Sequence, residues 1–307
     1  MNLKDLARQA NLKALWVLIA QGDEAYFKSA PKPIGASVSE AIDYAGTRHP
    51  QQSLEIVRPS DNVDVLPVIV HVHGGGWLYG DRDSYYRYYA MELAKRGFAV
   101  LNINYRLAFD HPYPACILDV LSVLKWVADH AQEERLDAAN VYLVGDSAGA
   151  HLSALAALIH TSPTLQKVYG VTSADVTIRA LGLSCGVYDI TRMVHQSHDL
   201  PMTKAMFQTL FNRGDYTKHP LYPYTSVSAH LHAQFPPAYV LSTKSDIPLI
   251  SETHAFIDDL DMHRLPYKKR ILPLKAKRFH VFNIKMIYPE SVDVMDEMTS
   301  WFKTFLD

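Results

Sequence analysis

An α/β fold, a mostly parallel sheet covered by helices on both faces, is predicted by three observations. From about Leu54 onward, short β-branched runs alternate with helical patterns. The clearest strand-like runs each end in polar or glycine residues, as strands feeding loops at a sheet edge do. With 307 residues, 48% hydrophobic and 20% charged, the chain is long and apolar enough for one substantial core or two small ones, which excludes disorder and fibre.

The elements follow in order. Leu3, Leu6, Ala10, Leu15 and Leu18 recur at near-helical spacing between Lys4, Arg8 and Lys13, which predicts an amphipathic first helix packed on its own chain. The apolar run over 14–20 is short, and Gln21, Gly22 and Asp23 follow it without a small-x-small cleavage pattern, so neither an export signal nor a membrane span is expected. Strands are predicted over 68–72, 98–104, 141–144, 179–184, 238–241 and 269–272. Helices are predicted over 84–96, 114–131, 148–159, 251–260 and 291–305. The segment 188–234 is too long for a simple connection and carries Met193, Met202, Met206, Leu210 and Phe211 among polar residues. It reads as a helical insertion at one end of the sheet, the end where open α/β sheets bind ligands.

Charge and cysteine content narrow the function. Thirty basic and 32 acidic side chains leave a net charge of -2, which excludes a phosphate-neutralising surface and hence nucleic acid as partner. Cys116 and Cys185 read as two buried thiols, not as a disulfide framework, and suit a reducing cytoplasm.

Gly145-Asp146-Ser147-Ala148-Gly149 follows one predicted strand and opens a helix, the context in which a G-x-S-x-G turn presents a serine nucleophile. The flanking glycines permit a turn too tight for a Cβ, leaving Ser147 at a helix N-terminus where N–H groups favour developing negative charge. The bland alternative is that Ser147 only caps the helix. His73-Gly74-Gly75-Gly76-Trp77 closes another strand, and three glycines in a row suit a backbone that approaches a ligand oxygen. The N–H groups of Gly75, Gly76 and Ala148 would form an oxyanion hole. His73, Gly74, Trp77 and Asp146 are placed around the substrate pocket, with Trp77 as a wall and His73 as a loop anchor. A phosphate loop would need a Gly-Lys-Ser/Thr ending, and a His71-x-His73 metal pair would need matching ligands nearby.

Three blocks together are specific: His73-Gly74-Gly75-Gly76-Trp77, then Tyr105-Arg106-Leu107-Ala108 followed by Asp110-His111-Pro112-Tyr113-Pro114-Ala115, then Gly145-Asp146-Ser147-Ala148-Gly149. In order and spacing the chain resembles the hormone-sensitive-lipase-like branch of the α/β-hydrolase superfamily. The resemblance implies an α/β-hydrolase fold with an eight-stranded mostly parallel sheet and a Ser-Asp-His triad in that chain order. It also implies a cap, whose counterparts here are residues 1–45 and the 188–234 insertion of a single domain. Two departures stand out. Phe109-Asp110 replaces the common Pro-Glu, and the serine turn continues Ala150-His151-Leu152, which is similar to acyl-sugar esterases and kynurenine formamidases.

The acid and base then fall near late strand ends. Asp246 lies just beyond the 238–241 strand, whereas its rivals Asp258, Asp259 and Asp261 sit within or after a helix. His280 follows the last strand in a Phe279-His280-Val281-Phe282 setting similar to the family's His-x-Phe, whereas His254 and His263 fall on the intervening helical segment. Tyr85, Tyr86, Tyr88 and Tyr89 read as packing with pocket contact as the alternative, Asp119 as a brace, and the pair His195 and His198 lacks a metal motif.

These residues together predict a serine carboxylesterase acting on short-chain acyl esters. Its partners are a small-molecule ester and water, with no cofactor or metal, and a homo-oligomer is admitted. The alternatives are an arylformamidase-type amide hydrolase, an acyl-sugar deacetylase, and, last, a non-catalytic receptor.

Overall fold

The computed structural model describes residues 3–83, 85–196, 201–247, 249–274 and 279–306. A long helix α1 (Leu3–Ser29) leads into β1 (Ala36–Val38), β2 (Ile42–Asp43), β3 (Ser53–Pro59) and β4 (Leu66–Val72). Next come α2 (Tyr85–Ala94), β5 (Ala99–Ile103), α3 (Ala115–His130), β6 (Leu136–Asp146), α4 (Ala148–Thr161), α5 (Pro163–Tyr169) and β7 (Ile178–Ser184). The insertion contributes α6 (Ile190–Gln196) and α7 (Pro201–Leu210) before β8 (Ala238–Thr243), α8 (Ile250–Met262), β9 (Tyr267–Leu272) and α9 (Pro289–Lys303).

The strands form one sheet in the order β1-β3-β5-β4-β6-β7-β8-β9. Pairing is parallel from β5 through β9, while β1, β2 and β3 join antiparallel. The fold is therefore that of an α/β hydrolase, with one addition to the expected eight strands. The two-residue β2 pairs with Leu54 and Ser53 beside the main path and makes the sheet nine-stranded.

Alternation along each buried strand divides the core in two. Val68, Val70, Leu101, Leu143, Leu183 and Val240 face one side, packing with α3, α4 and α8. Ile69, Val100, Tyr142, Ala180 and Tyr239 face the other, against α2 and α9. Both faces of the central strands are thus covered, which is why those strands are apolar throughout. From β4 the chain runs outward to β5 and then returns to β6 on the other side of β4, so the order reverses at the β4–β6 pair. A crevice opens at the carboxyl ends of strands at such a reversal.

The first helix buries a different face from the expected stripe. Leu12 is buried and Trp16 half-buried, whereas Leu15 and Leu18 are 37% and 65% exposed and Ala10 is exposed. The buried side is the one that meets α7 and the glycine loop after β4. The side chains of Leu3 and Leu6 lie outside the described residues. No helix among the described residues is long and apolar enough to cross a membrane.

Packing of α4 onto β4 depends on one missing side chain. A Cβ on Gly149 would lie 2.1 Å from the Val72 carbonyl oxygen and 2.6 Å from that of His73, both rigid backbone. Gly149→Ala is expected to destabilise the protein by about 3 kcal/mol or more, read as a fall in the thermal midpoint. An unchanged midpoint would show that α4 can shift outward freely.

Candidate active site

The serine turn is built by the close approach of α4 to the sheet. A Cβ on Gly145 would sit 2.4 Å from the Gly149 carbonyl, so the two ends of the turn touch through glycine. Between them Ser147 is held at φ +52° and ψ −117°, a sparsely populated conformation for a residue with a Cβ. Its amide donates to the Ser184 carbonyl at 2.8 Å, tying the turn to the end of β7. Ala148 is the first residue of α4, so its N–H is one of the helix's unpaired donors and lies at the positive end of the dipole.

The acid and base arrive from two further strand ends. Asp246 follows β8 and is fully buried, and His280 follows β9 and is 36% exposed. His280 Nδ1 lies 3.1 Å from each Asp246 carboxylate oxygen, and its Nε2 lies 3.0 Å from Ser147 Oγ. This places Nδ1–H as donor to the carboxylate and leaves Nε2 to accept from the serine hydroxyl. The rivals do not approach: Asp258, Asp259 and Asp261 lie on α8, His254 is exposed on the same helix, and His263 is exposed at its end.

The glycine loop after β4 is stiffened from several sides. Gly75 adopts φ +108°, and a Cβ there would lie 2.0 Å from the Tyr79 carbonyl oxygen. Leu78 N and Tyr79 N both donate to the Gly75 carbonyl at 3.1 Å. His73 Nδ1 donates to the Gly74 carbonyl at 2.7 Å, and its ring stacks on Tyr105 at 4.3 Å. Burial pushes the His73 imidazole down to about 4, so it stays neutral and anchors the loop. Tyr105 donates its hydroxyl to the His73 carbonyl at 2.9 Å.

The departure at Ala150-His151-Leu152 has a structural reason. Trp77 Nε1 donates to His151 Nδ1 at 3.2 Å, and His151 Nε2 donates to the Thr225 carbonyl at 2.8 Å. Burial holds the His151 pKa down at about 4, which preserves the neutral ring that this relay needs. His151 therefore braces the glycine loop against α4 and the insertion.

A cavity of about 280 Å³ opens over Ser147 and His280. Leu12, Trp16 and Ile19 of α1 line it with Met193, Met202 and Met206 of the insertion. Gly76, Trp77 and Ala148 are also in its wall. His73, Gly74 and Asp146, expected at the pocket, stand behind it instead, because the tight glycine contacts turn those side chains and backbone into the protein. Asp146 is 2% exposed, accepts a hydrogen bond from the Tyr86 hydroxyl at 3.0 Å, and is pushed up to about 7 by burial. Tyr85, Tyr86 and Tyr89 are buried in the α2–α9 face of the core. Asp119 accepts from Arg106 Nε and Nη2 and from Gln52 Nε2, which makes it a brace of the Arg106 loop. A second hollow, about 250 Å³, lies between the end of α1 and α2 and is lined by none of Ser147, Asp246 and His280.

Cys116 and Cys185 are both buried free thiols. Among the described residues, Cys185, Asp246 and His280 bring ligand-type atoms within 4.8 Å of one another. Burial and the Asp246 charge push the Cys185 thiol well above its ordinary value, so with Asp246 ionised it stays protonated. The His195 side chain and His198 lie outside the described residues. Sequence reasoning missed Trp16, Tyr86 and His151 as supports of the site. His151 carried a signal in the departure after the serine turn, and Tyr86 stood in the tyrosine cluster read as packing with pocket contact as the alternative.

Residues 54–255 match the BD-FAE family. LipM of Mycobacterium tuberculosis, described as a probable carboxylic ester hydrolase, is 32% identical over 204 residues, 65% of this chain and 46% of that protein. Carboxylesterase NlhH of the same organism is 40% identical over 94 residues, 31% of this chain and 30% of its own length. This chain thus spans less than half the length of these relatives. Esterase B from Lactobacillus Rhamnosis is similar along the whole fold, at 27% identity and a TM-score of 0.91, covering 99% of this chain and 96% of that one. The Pyrobaculum calidifontis esterase shares the fold, at 23% identity and a TM-score of 0.77 over 99% of both chains.

Proposed function

The chain belongs to the BD-FAE family, and from that premise we propose that it is a serine carboxylesterase hydrolysing short-chain acyl esters through Ser147, His280 and Asp246. The observation that carries the reading is the unbroken hydrogen-bonded line from Ser147 Oγ through His280 to Asp246 on the wall of an apolar cavity. Ser147 Oγ attacks the ester carbonyl carbon as His280 Nε2 takes its proton. Asp246 holds the ring in the required tautomer and stabilises the imidazolium. The negative oxygen of the tetrahedral intermediate accepts hydrogen bonds from the N–H groups of Gly75, Gly76 and Ala148. Its collapse breaks the bond to the alkoxy group, which leaves as an alcohol with the proton from His280. Water then attacks the acyl-enzyme, giving its proton to His280, and the acid is released as Ser147 recovers one.

In this reading α1, within residues 1–45, and the 188–234 insertion form the cap. Both supply cavity wall, and the wall they supply is apolar except for Thr203. A volume of about 280 Å³ lies just below the roughly 300–1,000 Å³ of pockets that hold drug-sized ligands, which supports a short acyl group. Esterase B has been solved with C4-C4 and C6-C4 SN3 inhibitors, which supports acyl groups well short of decanoate. His151, in the stretch similar to acyl-sugar esterases and formamidases, is fully buried and takes no part in the cavity wall. The two free thiols support a reducing, cytoplasmic setting.

Hydrolysis of p-nitrophenyl esters from acetate to decanoate, with Ser147→Ala in parallel, tests the proposal. Turnover is expected to peak at butyrate or shorter and to vanish in the variant. Faster turnover of decanoate than butyrate would overturn the short-acyl reading, and a variant as active as wild type would overturn the serine mechanism.

A further inference from the structure

The oxyanion donors come from two separate pieces of chain, the loop after β4 and the first turn of α4. Such donors must sit about 2.7–3.1 Å from the developing oxyanion, and a misplacement of 1 Å can cost about a hundredfold in rate. Something must therefore set the distance between the two pieces. Tyr86, on the first turn of α2 and 3% exposed, has its hydroxyl at the seam between them. That oxygen accepts the Gly74 N–H at 3.0 Å and donates to Asp146 Oδ2 at 3.0 Å. Asp146 immediately precedes the nucleophile, and Gly74 immediately precedes the two loop donors.

We infer that Tyr86 is a positioning residue whose hydroxyl, bridging Gly74 N–H and the Asp146 carboxylate, sets the oxyanion loop in register with the Ser147 turn. Three further observations support it. The carboxylate presses so closely on the loop that a Cβ at Gly74 would lie 2.3 Å from Asp146 Oδ2, so the bridge leaves no room for slack. Asp146 Oδ1 is buried without a hydrogen-bond partner among the described residues, so the side-chain hydrogen bond that holds this carboxylate is the one Tyr86 gives to Oδ2. Tyr105 holds the same loop only to itself, through the carbonyls of His73 and Gly74, and does not reach the serine turn. Trp77 and His151 tie the far end of the loop to α4, so Tyr86 is the tether on the nucleophile's near side.

The inference rests on the serine-hydrolase reading, and its test separates the two. Tyr86→Phe keeps the ring and removes the bridge. It is expected to lower kcat about tenfold to a hundredfold with KM changed less than threefold, and to slow inactivation by a p-nitrophenyl alkylphosphonate in parallel, since phosphonylation also develops an oxyanion. Asp146→Asn keeps a carbonyl acceptor for the tyrosine and is expected to lose less kcat than Asp146→Ala. The Tyr86→Phe, Asp146→Ala double variant should lose little more than the worse single variant. If Tyr86→Phe does not fold, the ordering of the two Asp146 variants decides. Wild-type kcat in Tyr86→Phe, losses that simply add, or equal loss in Asp146→Asn and Asp146→Ala would overturn the tether. Should Ser147→Ala retain activity, the serine reading itself falls. Should it be inactive while Tyr86→Phe turns over normally, only the tether falls.

Discussion

Ser147→Ala is expected to lower kcat for p-nitrophenyl butyrate by about a million-fold, to a residue of catalysis supplied by binding and the oxyanion donors alone. The reason is that the hydroxyl is what His280 Nε2 is placed to activate, at 3.0 Å. The substitution removes one half-buried oxygen and leaves the strained turn to the backbone bonds that hold it, including the Ser147 amide on the Ser184 carbonyl. The thermal midpoint should therefore stay within a few degrees of wild type. Stopped-flow mixing should show a burst of nitrophenol in the wild type when deacylation is slower, and none in the variant. Residual turnover within tenfold of wild type would remove Ser147 from the chemistry.

Asp246→Asn is expected to cost about ten-thousandfold in kcat with little change in KM. A carboxylate can only accept from His280 Nδ1–H, which leaves Nε2 unprotonated and facing the serine. An asparagine amide in the same fully buried place can donate to Nδ1, which moves the ring proton to Nε2 and leaves the serine without an acceptor. Circular dichroism with kcat and KM measured on the same preparation checks this. A loss under tenfold would show that another group orients the ring.

The core strands, the helices between them and the serine turn were legible because each is a local pattern. Val68 to Val72 is a run that only a two-sided burial explains, and Gly145 to Gly149 spells its turn in five letters. Asp246 and His280 were legible by elimination, since few acids and histidines stand just after a strand end. β3 was harder: Glu55 sits mid-strand and reads as solvent-facing, yet it is 1% exposed and paired with Arg87, a partner 32 residues away. α5 carried its own marks, Ser162 capping Leu165 N, Pro163 and a left-handed Gly170, but is too short for its periodicity to register. The face buried by α1 was not legible, because it is chosen by Gly76 and Met206, far along the chain. For the same reason, Asp146 could be placed beside the nucleophile but not behind the pocket: the hydroxyl that draws it inward belongs to another helix.

Trp16 gives the N-terminal helix two jobs. Its indole stacks on Tyr79 at 5.5 Å and forms part of the cavity wall, and the same ring would lie 3.0 Å from a Cβ at Gly76, one of the proposed oxyanion donors. Leu12 and Met193 line the cavity from stretches of chain apart from Ser147, Asp246 and His280, so either could drift in size and retune substrate choice with those residues untouched. At Trp16, and at Met206 whose sulfur would lie 3.2 Å from the same Cβ, that independence ends. A change at Trp16 alters what fits and how fast it reacts together, so a lineage or a library seeking new substrates will find this position more constrained than Leu12 or Met193.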